Sequence, residues 1–379
     1  MTKVVVVTGT RADYGIYYPI LKAIEQEHDL ELHLLVTGMH LKSQFGNTIE
    51  HIKKDGFHIS AVVDNLLEGT THANMARSIG NAIIGMTQAF EDILPNCAVV
   101  LGDRGEMLAA AIVSSHMNIP LVHLHGGEVS GTVDESVRHA ISKLSHIHLV
   151  ATEGSKERLI RLGEDSWRIH VVGAPRIETI MNTTLPIFEV TKRKYSLDFT
   201  AEYILFAYHP VTNEKQDLDS LKGILETLIS TGLNIICVMP NSDAGADNIV
   251  KLYQQFSNTT GFYMVTSFEQ LDYLAILKQA KILVGNSSSG IIEAASFRVP
   301  VINIGTRQWR RERSANVVDI SENENELSRA LEHVLSEEFQ QTLSIAGNVY
   351  EKKNTSASIV NILKTICNSE ELIQKTITY

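Results

Sequence analysis

Short runs of β-branched residues closed by Gly, Asp or Pro recur along the chain, separated by amphipathic stretches. Val4–Thr8, Glu31–Thr37, Ala98–Gly102, Pro120–His125, Ile147–Thr152 and Ile169–Val172 make a first set of expected strands. Tyr203–Tyr208, Asn234–Met239, Phe262–Val265, Ile282–Gly285, Pro300–Ile304 and Asn316–Ile320 make a second. Between them lie segments such as Tyr14–Glu27, where Tyr17, Ile20, Leu21 and Ile24 repeat at i, i+3, i+4, i+7 and mark one face of a helix. Near-continuous apolar strands alternating with helices imply parallel sheets buried on both faces. The pattern therefore predicts two doubly wound α/β domains.

The alternation breaks in Thr179–Ala201, where Asn182-Thr183-Thr184-Leu185-Pro186 and a charged stretch intervene. Residues 1–178 are expected to form the first domain and 179–349 the second. Helices are expected near Glu337–Ala346 and Ser356–Ile366, with the chain from about 350 to 379 free to return to the first domain. Open α/β sheets bind ligands beyond the carboxyl ends of their strands, so a cleft facing both sheets is the expected site.

The chain has 379 residues, enough for two ordinary domains, and its 44% hydrophobic and 20% charged content is that of a globular protein. The net charge of −11 repels polyanions and argues against nucleic acid as the main partner. Cys97, Cys237 and Cys367 lie far apart with no C-x-x-C pair, which fits a reducing cytoplasm. The opening valines give way at once to a polar Gly turn, too short for a secretory segment, and no run is long enough to span a membrane. A cytoplasmic protein without a membrane partner is expected.

Candidate chemistry lies in the residues just after each strand. Thr8-Gly9-Thr10-Arg11-Ala12-Asp13 is a Gly turn entering a helix, without the G-x-G-x-x-G of a dinucleotide site. Gly102-Asp103-Arg104-Gly105-Glu106 follows another strand. His123-Leu124-His125-Gly126-Gly127-Glu128 comes next, then Asp134 at a helix start with Arg138 as its i,i+4 partner. His123 and His125, two apart on a strand, are expected to share a face, and with Glu128 or Asp103 they make a zinc-like donor set. No third ligand stands at a recognisable spacing, so no metal is assigned. Asp103, His125, Glu128 and Asp134 converge beyond neighbouring strand ends as candidate acids and bases.

In the second half, His209-Pro210 and Asn241 follow the first two strands. Gly285-Asn286-Ser287-Ser288-Ser289-Gly290 then opens a helix with more hydroxyls than a cap needs, a turn suited to phosphate, with Glu293 placed for a ribose diol. Arg307, Arg310, Arg311 and Arg313 put four arginines in seven residues of an acidic protein, and Arg307 is the diphosphate candidate.

Together these residues resemble the hydrolysing UDP-N-acetylglucosamine 2-epimerases of bacterial sialic acid biosynthesis. The likeness runs through Thr8–Asp13, Thr37-Gly38-Met39-His40, Gly102-Asp103-Arg104, His125-Gly126-Gly127-Glu128, Gly131–Ile141, His209-Pro210, Gly285–Gly290 and Gly305-Thr306-Arg307-Gln308, in order along nearly the whole chain. It implies the twin-Rossmann (GT-B) glycosyltransferase fold, no cofactor, UDP-N-acetylglucosamine and UDP as ligands, and a homodimer or homotetramer. By position it implies substrate contacts from Arg11, Arg104, His209, Asn241, Ser267, Phe268, Ser287, Ser288, Glu293 and Arg307, and catalytic carboxylates at Asp103 and Asp134. Several members of that family carry Glu where His125 stands, while some bacterial sialic-acid enzymes carry His, so the third catalytic group lies between His125 and Glu128. The implied reaction converts UDP-N-acetylglucosamine and water into N-acetylmannosamine and UDP. A diacetamido-trideoxy sugar nucleotide as substrate, a non-hydrolysing epimerase and a non-catalytic sugar-nucleotide sensor are the alternatives. The acids clustered in the first domain set the enzyme apart from a sensor.

Overall fold

The computed structural model describes residues 1–67, 71–130, 134–211, 214, 216–240, 245–366 and 372–378. The chain forms two compact units, one from Met1–Glu128, Asp134–Thr179 and Tyr350–Tyr379, the other centred on Ile180–Val349.

The first unit holds a seven-stranded parallel sheet. Its strands are β1 (Thr2–Thr8), β2 (Leu30–Thr37), β3 (Ile59–Val63), β4 (Cys97–Leu101), β5 (Leu121–Leu124), β6 (Ile147–Val150) and β7 (Ile169–Val171), in the order β3-β2-β1-β4-β5-β6-β7. Alternate residues of β1 serve opposite cores: Val4 and Val6 pack with Tyr17, Ile20 and Ile24, whereas Val5 and Val7 pack with Met86, Phe90 and Met107. A strand buried on both faces must be apolar at every position, and that is why β1 reads as four consecutive valines. Helix Thr355–Ile366 joins this unit, with Ile359, Val360, Leu363 and Ile366 in the same cluster as Tyr17.

The second unit holds six parallel strands, β8 (Tyr203–Ala207), β9 (Asn234–Val238), β10 (Phe262–Val265), β11 (Ile282–Gly285), β12 (Val301–Ile304) and β13 (Val317–Ile320), ordered β10-β9-β8-β11-β12-β13. Both units are thus doubly wound. Strand order reverses between β1 and β4 in one and between β8 and β11 in the other, and loops diverge at such switch points to leave room for ligand. Among the described residues no helix is long and apolar enough to cross a membrane.

Two expectations are corrected. β3 has no counterpart among the expected strands, because it is an edge strand with Val62 exposed and a register shift against β2, so its apolar pattern is incomplete. β5 stops at Leu124, and His125 turns into the left-handed region at φ 60°, so His123 and His125 do not share a strand face.

Candidate active site

The first strand end closes largely on itself. Thr10 caps helix Arg11–Glu25 and exchanges hydrogen bonds with Asp13 in a capping box. The buried Asp13 carboxylate also accepts from the Thr8 hydroxyl and, at 3.1 Å, from the Gly9 amide. Burial outweighs these bonds and pushes its pKa up to about 6. His40 lies against Thr8 Oγ1 at 3.0 Å and Thr48 Oγ1 at 2.7 Å, and burial holds it down at about 4. Arg11 opens the helix, and Arg104, after β4, places Nε 3.5 Å from Glu106 Oε2. These turns position the arginines; Asp13 and His40 are partners that their polar character alone did not single out.

A second network gathers beyond β4 and β5. Arg138, 2% exposed, pairs with Asp103, lies 3.3 Å from Glu135 Oε2 and donates to the Glu128 carbonyl at 3.1 Å. Besides standing one turn after Asp134 on its helix, it ties together two turns 25 residues apart in sequence, at Asp103 and Glu128. Only folding creates that link. Asp134 begins the same helix, Asp134–Leu144, one turn before Arg138.

His123 belongs to the core. Its Nε2 donates to the Gly102 carbonyl at 2.7 Å, its Nδ1 accepts from Ser142 Oγ at 3.1 Å, and burial holds its pKa at about 3. His125 differs. Its Nδ1 meets Glu128 Oε1 at 2.5 Å, while its Nε2 is buried with no hydrogen-bond partner. Its positive φ costs a non-glycine residue roughly 1–2 kcal/mol, strain of a kind that clusters at functional sites. The fold-back of Glu128 depends on Gly126, where a Cβ would lie 2.8 Å from His123 Nδ1, and on Gly127, where it would run into the Ser155 carbonyl. Among the described residues no group of three or more His, Cys, Asp or Glu side chains is placed to hold a metal ion.

In the second unit, Asn286 at the end of β11 clamps the backbone of His209, accepting from its amide at 2.7 Å and donating to its carbonyl at 2.8 Å. The Asn286 carbonyl in turn accepts from Arg307 Nη1 at 3.1 Å and Gln308 Nε2 at 2.9 Å. Asn286 thus links three segments that the sequence shows only as separate motifs. Gly285, at φ 137°, has no room for a Cβ beside the Ala207 carbonyl, so β8 and β11 approach closely here. Ser287 caps Ser288–Ile292, and Tyr273 OH meets Ser289 Oγ at 2.5 Å. Ser287, Ser288, His209 and Arg307 are half-buried, Glu293 is buried, and Ser267 is exposed. The Phe268 ring packs in the core against Tyr195, centroids 4.5 Å apart. Asn241 lies outside the described residues. Of the remaining arginines, Arg311 and Arg313 bond to Gln308, and Arg310 stacks on Trp309.

Residues 22–364 match the UDP-N-acetylglucosamine 2-epimerase family. The UDP-N,N'-diacetylbacillosamine 2-epimerase (hydrolyzing) of Legionella pneumophila is 42% identical over 100% of this chain and 99% of its own. The UDP-N-acetylglucosamine 2-epimerase of Neisseria meningitidis serogroup B is 38% identical over 84% of this chain and 83% of its own. In fold, the chain is similar to a crystal structure of UDP-GlcNAc 2-epimerase from Neisseria meningitidis bound to UDP-GlcNAc, with a TM-score of 0.82 at 19% identity, covering 96% of this chain and 99% of that one.

Proposed function

Since the chain belongs to the UDP-N-acetylglucosamine 2-epimerase family, we propose that it hydrolyses a UDP-linked 2-acetamido sugar with inversion at C2. The observation that carries this reading is the network of Asp103, Arg138, Glu128 and His125 beyond β4 and β5, with Asp134 on the helix that bears Arg138. In such a sugar the C2 proton is not next to a carbonyl, so its removal needs another electron sink. Departure of UDP supplies one. As the C1–O bond breaks, positive charge on the ring acidifies C2–H, a base from this network takes the proton, and a 2-acetamidoglucal forms. Water then adds at C1 while a proton returns to the opposite face of C2, giving the 2-epimeric free sugar. The serine turn and Arg307 hold the diphosphate in this reading, charge-assisted bonds that strengthen as the leaving group gains charge.

Two substrates share this chemistry. With UDP-N-acetylglucosamine the product is N-acetylmannosamine; the Legionella relative, 42% identical over 100% of this chain, favours the diacetamido-trideoxy sugar instead. Both are to be incubated with the protein and followed by NMR, and the larger kcat/KM assigns the substrate. In deuterated water the product is expected to carry deuterium at C2, and oxygen-18 from solvent is expected at C1 and not in UDP at early times. Protium retained at C2 would point to transient oxidation, and label in UDP to attack at phosphorus; either outcome sinks the proposal.

A further inference from the structure

Glu128 is 2% exposed and places Oε1 2.5 Å from His125 Nδ1. With Glu128 ionised, the proton of this bond belongs to Nδ1, because a carboxylate only accepts hydrogen bonds. A neutral imidazole has a single N–H, which leaves Nε2 with a bare lone pair. That nitrogen is buried without a hydrogen-bond partner in a side chain 10% exposed. Folding rarely leaves such a group unsatisfied. Here the cost falls on a residue whose backbone is already in the left-handed region and which is followed by two glycines that have no room for a Cβ.

We infer that Glu128 is a positioning residue that acts through His125, fixing the Nδ1–H tautomer so that Nε2 is the proton acceptor of the elimination step. The identity of that proton rests on the epimerase reading above. The proton passes from C2 to Nε2, the C2–H electron pair becomes the C1=C2 bond, and the C1–O pair departs with UDP. The imidazolium so formed is neutralised in place by the Glu128 carboxylate, which never touches the sugar. A carboxylate holding a histidine in one tautomer is the relation that orients general bases elsewhere in enzymology.

The tautomer is read directly on the resting protein. In long-range ¹H–¹⁵N spectra of histidine-labelled protein, assigned with His125→Gln, the His125 ring is expected to carry its proton on Nδ1; a proton on Nε2 overturns the inference. Glu128→Ala is expected to release the tautomer and lower kcat by about 10²–10⁴-fold, the usual worth of a positioned base, with UDP affinity within about threefold. Glu128→Gln keeps an acceptor oxygen, so it is expected to retain the tautomer and lose less. In a His125→Gln background, adding Glu128→Ala is expected to cost less than about threefold more, because the two act as one unit. Losses that multiply would mean that Glu128 meets the substrate itself, and an unchanged kcat in His125→Gln would remove Nε2 from the reaction. Should Glu128→Ala fail to fold, the wild-type spectrum and the cycle with Glu128→Gln still decide. Failure of the epimerase reading shows in the product assay, and failure of this inference in the spectrum and the cycle.

Discussion

At the scale of single residues, the proposed function assigns the diphosphate to one unit and the chemistry to the other, and substitutions test that assignment. Arg307→Ala is expected to weaken UDP binding by roughly 10- to 150-fold, the loss of one charge-assisted hydrogen bond to phosphate. Asp103→Asn is expected to leave UDP affinity within about threefold while turnover collapses, as measured by titration calorimetry beside a product assay. The reverse pattern would exchange the roles of the two units. Buried histidines set the response to acid. Burial holds His40 and His146 at about 4 and His123 at about 3, so all three are neutral in the folded protein at pH 5, whereas the unfolded chain binds their protons near 6.5. Protons therefore favour the unfolded state, and stability is lost as pH falls from about 6.5 to about 4, by up to ~1.4 kcal/mol per pH unit for each histidine. Asp13 works against this: its folded value of about 6 exceeds the unfolded 3.8, so the folded state binds that proton first and gains stability over the same descent. Three groups outweigh one. Urea unfolding midpoints are expected to fall between pH 7 and pH 5, less steeply in His146→Gln, whose amide oxygen can still accept from the Leu121 amide, and more steeply in Asp13→Asn.

At the scale of elements, the turns after the strands are more demanding than the strands themselves. Gly127 has φ 72° and sits against the Ser155 carbonyl and the Leu159 side chain, so Gly127→Ala both strains the backbone and pushes Glu128 away from His125. Gly80 is the opposite case: it lies inside helix His72–Ile93, exposed, with nothing within 4 Å of an added Cβ. Gly80→Ala is expected to stabilise by about 0.5–1 kcal/mol through helix propensity, while Gly127→Ala is expected to destabilise by more than about 1–2 kcal/mol and to lower turnover. Thermal melts and the product assay read both. Equal shifts in the two variants would mean that the turn is not geometrically required. The element order was legible from the apolar runs, because strands buried on both faces tolerate almost no polar residue. β3 escaped because its edge position relaxes that demand, and His125 was assigned to a strand because nothing in its side chain reports a positive φ.

At the scale of the molecule, helix Thr355–Ile366 completes the core of the first unit. Ile359, Val360, Leu363 and Ile366 are buried with Tyr17 and Ile20 of the opening helix, and Lys364 pairs with Glu27 at 2.8 Å. Further along, Arg168 holds the carbonyls of Leu372 and Gln374, each at 3.0 Å, and Lys375 bonds to the carbonyls of Ser142, Lys143 and Ser145 at the end of the helix that begins with Asp134. Burying four large aliphatic side chains stabilises by roughly 6–12 kcal/mol, which is comparable with the whole stability of an ordinary domain at about 5–15 kcal/mol. Deleting residues 355–379 is therefore expected to unfold the first unit and to leave the second folded and able to bind UDP. Circular dichroism and calorimetry of the truncated chain test this, and a fully folded, active product would show that the return is dispensable.

The sequence by itself determined every strand except the edge strand β3, the two doubly wound sheets and the positions of the polar turns, because burial on both faces and glycine turns leave local signatures within a few residues. It also placed Asp103, His125, Glu128 and Asp134 beyond neighbouring strand ends. Which groups meet was decided only in three dimensions. Arg138 reaches Asp103 across 35 residues, and Asn286 clamps His209 across 77. His123 and His125, two residues apart, separate into a satisfied core side chain and a strained one whose buried Nε2 has no hydrogen-bond partner. Spacing along a chain encodes neighbours on one helix or strand. Contacts between turns from different strands depend on the register and order of the sheet, and those are fixed by the packing of the whole unit.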